Sequence, residues 1–134
     1  MEKKNILLVD DDSIANFLIE KIVQSTGLAR NIFTALNGKE ALEYFYHDNE
    51  VPEIVLLDLN MPVMNGFEFL KAFQILELKD KEDVLIIMVT SSVNPSDLEK
   101  ARSLGIRYYL TKPISAEMLR SIIMEESSGA PTDN

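Results

Sequence analysis

The sequence predicts an α/β protein: a doubly wound, five-stranded parallel sheet with a helix after each strand, (βα)5. Two observations carry this. Five short runs rich in apolar, β-branched or aromatic residues alternate with stretches of helical spacing. Three of those runs are nearly continuous in Val, Ile, Leu and Met rather than alternating, as strands buried on both faces are. Connections of mostly a few residues between strand and helix then give a parallel sheet covered on both sides.

The first strand is expected over Ile6–Val9. A helix follows in which Ile14, Leu18 and Ile22 repeat every four residues, flanked by Ala15, Ile19 and Val23, and Gly27 supplies a stop. The second strand is expected over Asn31–Ala35, and the Asn37-Gly38 turn leads into a helix bearing Ala41, Leu42 and Phe45. Ile54–Leu57 reads as the third strand, and Asn65-Gly66 opens a helix carrying Phe69, Leu70 and Phe73. Glu77–Asp83 is a polar, charged loop before a fourth strand at Val84–Thr90. Ser96 and Glu99 form a capping-box pattern ahead of Leu98, Ala101 and Leu104, with Gly105 ending that helix. Arg107–Leu110 is the fifth strand, and Ser115 can cap a last helix bearing Met118, Leu119, Ile122 and Ile123. Residues 1–126 make one domain, and the Ser/Gly/Pro/Asp-rich stretch 127–134 reads as a flexible C-terminal tail.

Composition narrows the function classes. The chain has 134 residues, with 13 basic against 22 acidic side chains and a net charge of −9. A chain of this length buries roughly two thirds of its unfolded surface, so its core needs no staple. Cysteine is absent, which excludes disulfide frameworks and thiolate metal sites. The apolar runs stay far below the roughly 20 residues of a membrane span, and Met-Glu-Lys-Lys-Asn does not read as a signal peptide. The acidic balance argues against binding nucleic acid through its phosphates and favours a cytoplasmic protein meeting cations or basic protein surfaces.

In an open parallel sheet, ligands bind outside the carboxyl ends of the strands, where the strand order reverses. Asp10, Asp11 and Asp12 follow the first strand; Asp58, Leu59, Asn60, Met61 and Pro62 the third; Ser91 and Ser92 follow Thr90 at the end of the fourth; Thr111, Lys112 and Pro113 the fifth. Only Asn37-Gly38 follows the second, which therefore reads as uninvolved. If the first and third strands are neighbours, their ends lie about 5 Å apart, and Asp10 or Asp11 converges with Asp58. Carboxylates that close repel one another unless a hard cation or a lysine neutralises them. Magnesium suits such oxygen ligands, Lys112 brings a compact charge for a phosphate oxygen, and Thr90 brings a hydroxyl. The set would bind a phosphoryl group, with one carboxylate free to act as nucleophile. Aspartate after a strand is also an ordinary helix N-cap, which is a sufficient reading of Asp12 taken alone.

These residues resemble the receiver domain of two-component response regulators, of the stand-alone, chemotaxis-receiver-like kind. The match spans residues 4 to about 125 and rests on ILLVDDD, IVLLDLNMPVMNG, IIMVTSS and YYLTKP, in that order and at these separations. The resemblance implies a flavodoxin-like strand order of 2-1-3-4-5. It implies Asp58 as phosphoacceptor, Asp11 and Asp58 as magnesium ligands with the backbone carbonyl of Asn60, and Asp10 acting through water. Thr90 is then the switch hydroxyl, Ser91 its small neighbour, Lys112 the phosphate-binding lysine on a cis bond to Pro113, and Tyr109 the aromatic that follows the switch. Asn60 and Ser92 stand where the family tunes dephosphorylation. The implied donor is a histidine kinase, a histidine phosphotransfer protein or a small acyl phosphate. The chain would be a phosphoacceptor, not an enzyme, beyond catalysing its own phosphorylation and dephosphorylation. No DNA-binding segment follows residue 126, so the expected output is contact with an unknown downstream protein, a relay to a histidine phosphotransfer domain or a separate chain, from a monomer or weak homodimer. Arg102, Arg107, Glu99 and Glu117 on the fourth helix, fifth strand and fifth helix are compatible with charge pairing between copies.

Other features weigh less. His47, in a polar helix end, reads as a solvated residue rather than a phosphohistidine. Phe67, Phe69 and Phe73 read as core, and Lys79–Asp83 as a solvated charge run. Met61, Val63, Met64, Pro113, Ile114 and Ile14 are candidates for an apolar rim where a partner helix docks. The enzymatic rival is a magnesium-dependent phosphatase of the haloacid dehalogenase type, with Asp10 as nucleophile and Asp12 as acid/base. It lacks the late acidic pair, since Glu125 and Glu126 fall in the last helix, and it leaves Asp58 unexplained. A third reading is a receiver that takes no phosphate and serves only for docking.

Overall fold

A computed structural model of the chain describes residues 2–46 and 50–127. The five strands are β1 (Lys4–Val9), β2 (Ala29–Ala35), β3 (Ile54–Leu57), β4 (Leu85–Thr90) and β5 (Tyr108–Thr111). They alternate with α1 (Ser13–Thr26), α2 (Gly38–Glu43), α3 (Gly66–Ile75), α4 (Pro95–Ser103) and α5 (Ala116–Ser127). All pairings are parallel, in the order β2-β1-β3-β4-β5, so the expected 2-1-3-4-5 sheet is present.

Alternation along the central strands splits the interior into two layers. Leu7, Val9, Val55, Leu57 and Met88 point to one face and meet Ala41, Leu42, Phe67, Phe69, Leu70, Phe73 and Ala101. Ile6, Leu8, Ile54, Leu56, Ile87 and Val89 point to the other and meet Val23, Leu119, Ile122 and Ile123. The phenylalanines are core as expected: Phe69 is fully buried, and its ring lies 5.8 Å from that of Phe73.

Several local expectations are corrected. In α1 the Ile14–Leu18 pair faces outward, 68% and 57% exposed, and Val23, with Ile19 and Ile22 beside it, turns to the sheet. The helix is apolar on two faces, and the sheet takes the one that continues into Val23 and Thr26. The N-cap of α4 is Asn94, not Ser96: its side chain accepts from the Ser96 backbone N–H at 3.0 Å, with Pro95 in the first turn. Ser96 is thereby inside the helix. α2 stops at Glu43, so Phe45 is buried from a turn rather than a helix. β2 begins at Ala29 and β5 ends at Thr111, because β1 and β4 offer backbone partners there. α5 runs through Ser127, one residue into the expected tail; residues 128–134 and His47 lie outside the described residues. Other caps are as anticipated. Asp12 accepts from Ile14 and Ala15 N–H groups, Gly27 takes φ +73° after α1, and Ser115 Oγ accepts from Met118 N–H at 3.1 Å.

Candidate functional site

Register brings the acidic residues together. Val9 pairs with Leu57, so the residues after them, Asp10 and Asp58, leave adjacent strands side by side at the carboxyl edge. The Asp58 N–H donates to Val9 O at 2.9 Å, and the Asp10 N–H to Ala35 O at 3.1 Å. β4 and β5 end level, Thr90 opposite Thr111, and the Lys112 N–H donates to Thr90 O at 2.9 Å. That sends the Lys112 side chain back over the same edge. Its Nζ lies 2.6 Å from Asp10 Oδ2 and 4.0 Å from Asp58 Oδ1. The Lys112–Pro113 bond is cis.

Asp10, Asp11 and Asp58 each offer a carboxylate oxygen, all within 4.8 Å of one another. Asp10 and Asp58 are 6% and 9% exposed, whereas Asp11 opens to solvent. Burial, with Asp10 beside it, pushes Asp58 up to about 6, and Lys112 only partly counters this. Asp12 points away: its backbone N–H donates to Asp10 Oδ1 at 2.9 Å while its own carboxylate caps α1. Thr90 is fully buried, and its Oγ1 accepts from the Ser92 N–H at 3.2 Å. Tyr109 is half-buried, its hydroxyl donating to Ser92 O at 3.3 Å. Asn60 is exposed, two residues past Asp58.

Two residues that support the site were not singled out from the sequence. Asn16 is 4% exposed and donates from Nδ2 to Asp10 O at 3.0 Å and to Ala35 O at 3.4 Å, fixing the turn that aims Asp10. The sequence carries no signal for it, because the buried phase of α1 is known only once the sheet beneath it is in place. Gly66 begins α3 against the phosphoacceptor candidate's own backbone: a Cβ there would lie 2.7 Å from Asp58 O and 3.0 Å from Leu59 Cα. Read from sequence, Asn65-Gly66 is only a turn. The expected apolar rim divides. Ile14 and Val63 are exposed at 68% and 80%, and Pro113 is exposed, but Met61 and Ile114 are core residues at 7% each. Met64 is half-buried, packed over Gly38.

Three hard oxygen donors against one ammonium group leave a local surplus of negative charge, which fits a small divalent cation binding oxygen ligands. The same edge, with a buried hydroxyl and a lysine, can hold a phosphoryl group next to the Asp58 carboxylate.

Residues 6–124 match the family described as the response regulator receiver domain. The chain is similar to the sensor histidine kinase CheAY of Helicobacter pylori, 30% identical over 88% of this chain and 14% of that protein. It is similar to sporulation initiation phosphotransferase F of Bacillus subtilis, 28% identical over 92% of this chain and 93% of that one. Among solved structures it resembles a two-component response regulator from Cytophaga hutchinsonii, with a TM-score of 0.84 and 30% identity over 96% and 99% of the two chains. The chain spans only 8–54% of the length of several of the curated relatives it matches.

Proposed function

The chain belongs to the family of response regulator receiver domains, phosphoacceptor signalling modules of two-component systems, and from that premise we propose that it takes a phosphoryl group on Asp58 from a histidine kinase or histidine phosphotransfer protein, with Mg2+, and so switches a protein-interaction face. The observation that carries this is the convergence of Asp10, Asp11 and Asp58 within 4.8 Å beneath the Lys112 ammonium group.

Asp58 attacks as the carboxylate. Its oxygen forms the new O–P bond while the P–N bond of the donor phosphohistidine, or the P–O bond of an acyl phosphate, breaks, and that electron pair stays on the leaving group. Lys112, already 4.0 Å from Asp58 Oδ1, offsets charge spreading over the transferred oxygens. Asp11 and Asp58, with the carbonyl of Asn60 and with Asp10 through water, are the groups that would hold Mg2+. When bound, that ion supplies positive charge against the carboxylates and the incoming phosphate. Asp10 also holds Lys112 over the cleft, Ser91 leaves access beside Thr90, and Asn16 and Gly66 keep the Asp10 and Asp58 backbones in place.

Phosphorylation adds charged oxygens that attract the Thr90 hydroxyl and Lys112, a local charge event biasing a two-state element that includes Tyr109. A donor helix would dock on the exposed members of the expected apolar rim, Ile14, Val63 and Pro113. The reading includes a cytoplasmic protein, monomeric or weakly dimeric, whose output is contact with a protein rather than nucleic acid. The net charge of −9 supports the choice of a protein over nucleic acid as output, and none of the described helices is long and apolar enough to cross a membrane.

The test is intact mass after incubation with acetyl phosphate, with and without Mg2+. One Mg2+-dependent phosphoryl group, lost in Asp58→Asn, is the expected result. A gain that survives Asp58→Asn but disappears in Asp10→Asn would replace this reading with the phosphatase. No gain in the wild type would leave a docking module or a receiver that accepts phosphate only from its own kinase, and would overturn transfer from small acyl phosphates.

A further inference from the structure

Ser92 is bonded on every side. Its N–H donates to Thr90 Oγ1 at 3.2 Å, its carbonyl accepts from the Tyr109 hydroxyl at 3.3 Å, and its own hydroxyl donates to Asp97 Oδ2 at 2.6 Å. The same hydroxyl oxygen accepts from the Asn94 N–H at 3.3 Å. Asp97 lies in the first turn of α4, and Asn94 is that helix's N-cap. One residue therefore joins the switch hydroxyl, the switch aromatic and the start of α4.

We infer that the Ser92–Asp97 hydrogen bond is a latch that holds α4 and Tyr109 in the resting arrangement, making Ser92 and Asp97 positioning residues for the switch. The inference rests on the phosphoacceptor reading of Asp58. Of the bonds at Ser92, the one to Asp97 is the shortest and has an ionisable acceptor, the kind that holds geometry most firmly. The bonds to Thr90 and Tyr109 are long for hydroxyl and amide donors. Drawing Thr90 Oγ1 toward a phosphoryl group pulls on the Ser92 N–H, and Ser92 can follow only by straining its tie to Asp97. The latch thus adds to the cost of switching, and a ligand that favours the switched state binds more weakly while the latch is closed. With donor and acceptor capacity both engaged toward α4, the Ser92 hydroxyl is turned from the acidic cleft. Its effect is transmitted through α4 rather than exerted on the phosphoryl group.

The test uses the full chain with Mg2+ and beryllofluoride, a phosphoryl mimic, followed by backbone amide NMR of Thr90, Ser92 and Tyr109. Ser92→Ala and Asp97→Ala are each expected to bind the mimic on the order of tenfold more tightly, the scale of one hydrogen bond to a charged group. The double variant should gain no more than either single one, and Ser92→Thr or Asp97→Asn, which keep a donor or an acceptor, should return toward wild type. In the free protein both alanine variants should lose amide-exchange protection at Asn94 and Leu98. Additive effects, or tighter binding in Ser92→Ala alone, would place the role of residue 92 at the cleft and overturn the latch. If wild type takes no beryllofluoride, the phosphoacceptor reading has failed, and the exchange measurement decides the latch by itself: unchanged protection removes it.

Discussion

Asp58 is the residue on which burial and charge conflict most. A carboxyl taken out of water next to Asp10 resists ionising, and its value of about 6 against an ordinary 3.8 expresses this. The native state therefore holds this proton to a higher pH than the unfolded chain does. Across the window from 3.8 to about 6, stability falls as pH rises, opposite to an ion-paired aspartate. Asp58→Asn removes the penalty and keeps the shape. Urea unfolding at pH 7 without divalent cations should show that variant more stable by about 1–2 kcal/mol, allowing for solvent screening. Its pH slope between 4 and 6 should flatten, taking the wild-type window. A less stable variant would mean that Asp58 is held by hydrogen bonds rather than tolerated against repulsion. Asp58 itself was legible in sequence because it breaks an apolar strand before a Pro and Asn-Gly turn. Asn16 was not, since a helical asparagine is ordinary until β1 and β2 deliver the carbonyls of Asp10 and Ala35 to it.

At the scale of elements, α1 separates two uses of neighbouring aspartates. Asp12 accepts from the N–H groups of Ile14 and Ala15, and Asp11 faces the cleft. Asp12→Ala should destabilise the fold by about 1 kcal/mol, the usual cost of an N-cap. Mg2+ affinity, measured by calorimetry, should change less than about twofold, because only groups that differ between bound and free protein alter binding. A large loss of affinity would make Asp12 a ligand and would favour the Asp10–Asp12 phosphatase arrangement. The same helix shows why its packing face cannot be read along the sequence. Ile14–Leu18–Ile22 and Ile19–Val23 are both apolar series on an amphipathic helix, and which one is buried depends on the sheet beneath. α4 makes the complementary point. Ser96 with Glu99 has the spacing of a capping box, yet Asn94-Pro95 starts the helix earlier, and with Asn94 accepting from Ser96 the box has no role.

Across the whole molecule, charge is distributed with opposite consequences at the two ends of the sheet. At the carboxyl edge, acidic groups gather with one lysine in reach of Asp10 and Asp58. Near the far edge, Tyr108 and Arg107 donate to Glu126 and tie β5 to α5. Burial there would raise Glu126, but those two donors hold it below its usual range, so its contribution is present above that range and lost as pH falls through it. Burial, aided by Glu126, pushes Tyr108 up to about 12, and that contribution is whole below 10.0 and lost as pH rises from there toward about 12. The carboxyl edge is the end that lacks its countercharge. Mg2+ at about ten times its Kd should add about 1.4 kcal/mol of stability by mass action. The accompanying rise in Tm should vanish in Asp11→Asn, which changes an exposed side chain. A thermal shift that persists in that variant would mean that the ion binds elsewhere on an acidic surface.

The sequence by itself determined the alternation of strands and helices, the two-faced burial of the sheet and the polar residues that end each strand. Those properties are local: periodicity, turn chemistry and the position of an aspartate after an apolar run can be read along one segment. Only tertiary structure decided which face of α1 is buried, that Gly66 must be bare because α3 starts on the Asp58 backbone, and that Lys112 reaches Asp10 at 2.6 Å. It also decided that Ser92 spends its hydroxyl on Asp97. Each of these is a meeting between segments, set by strand register and helix packing, and no single stretch of sequence encodes the distance between them.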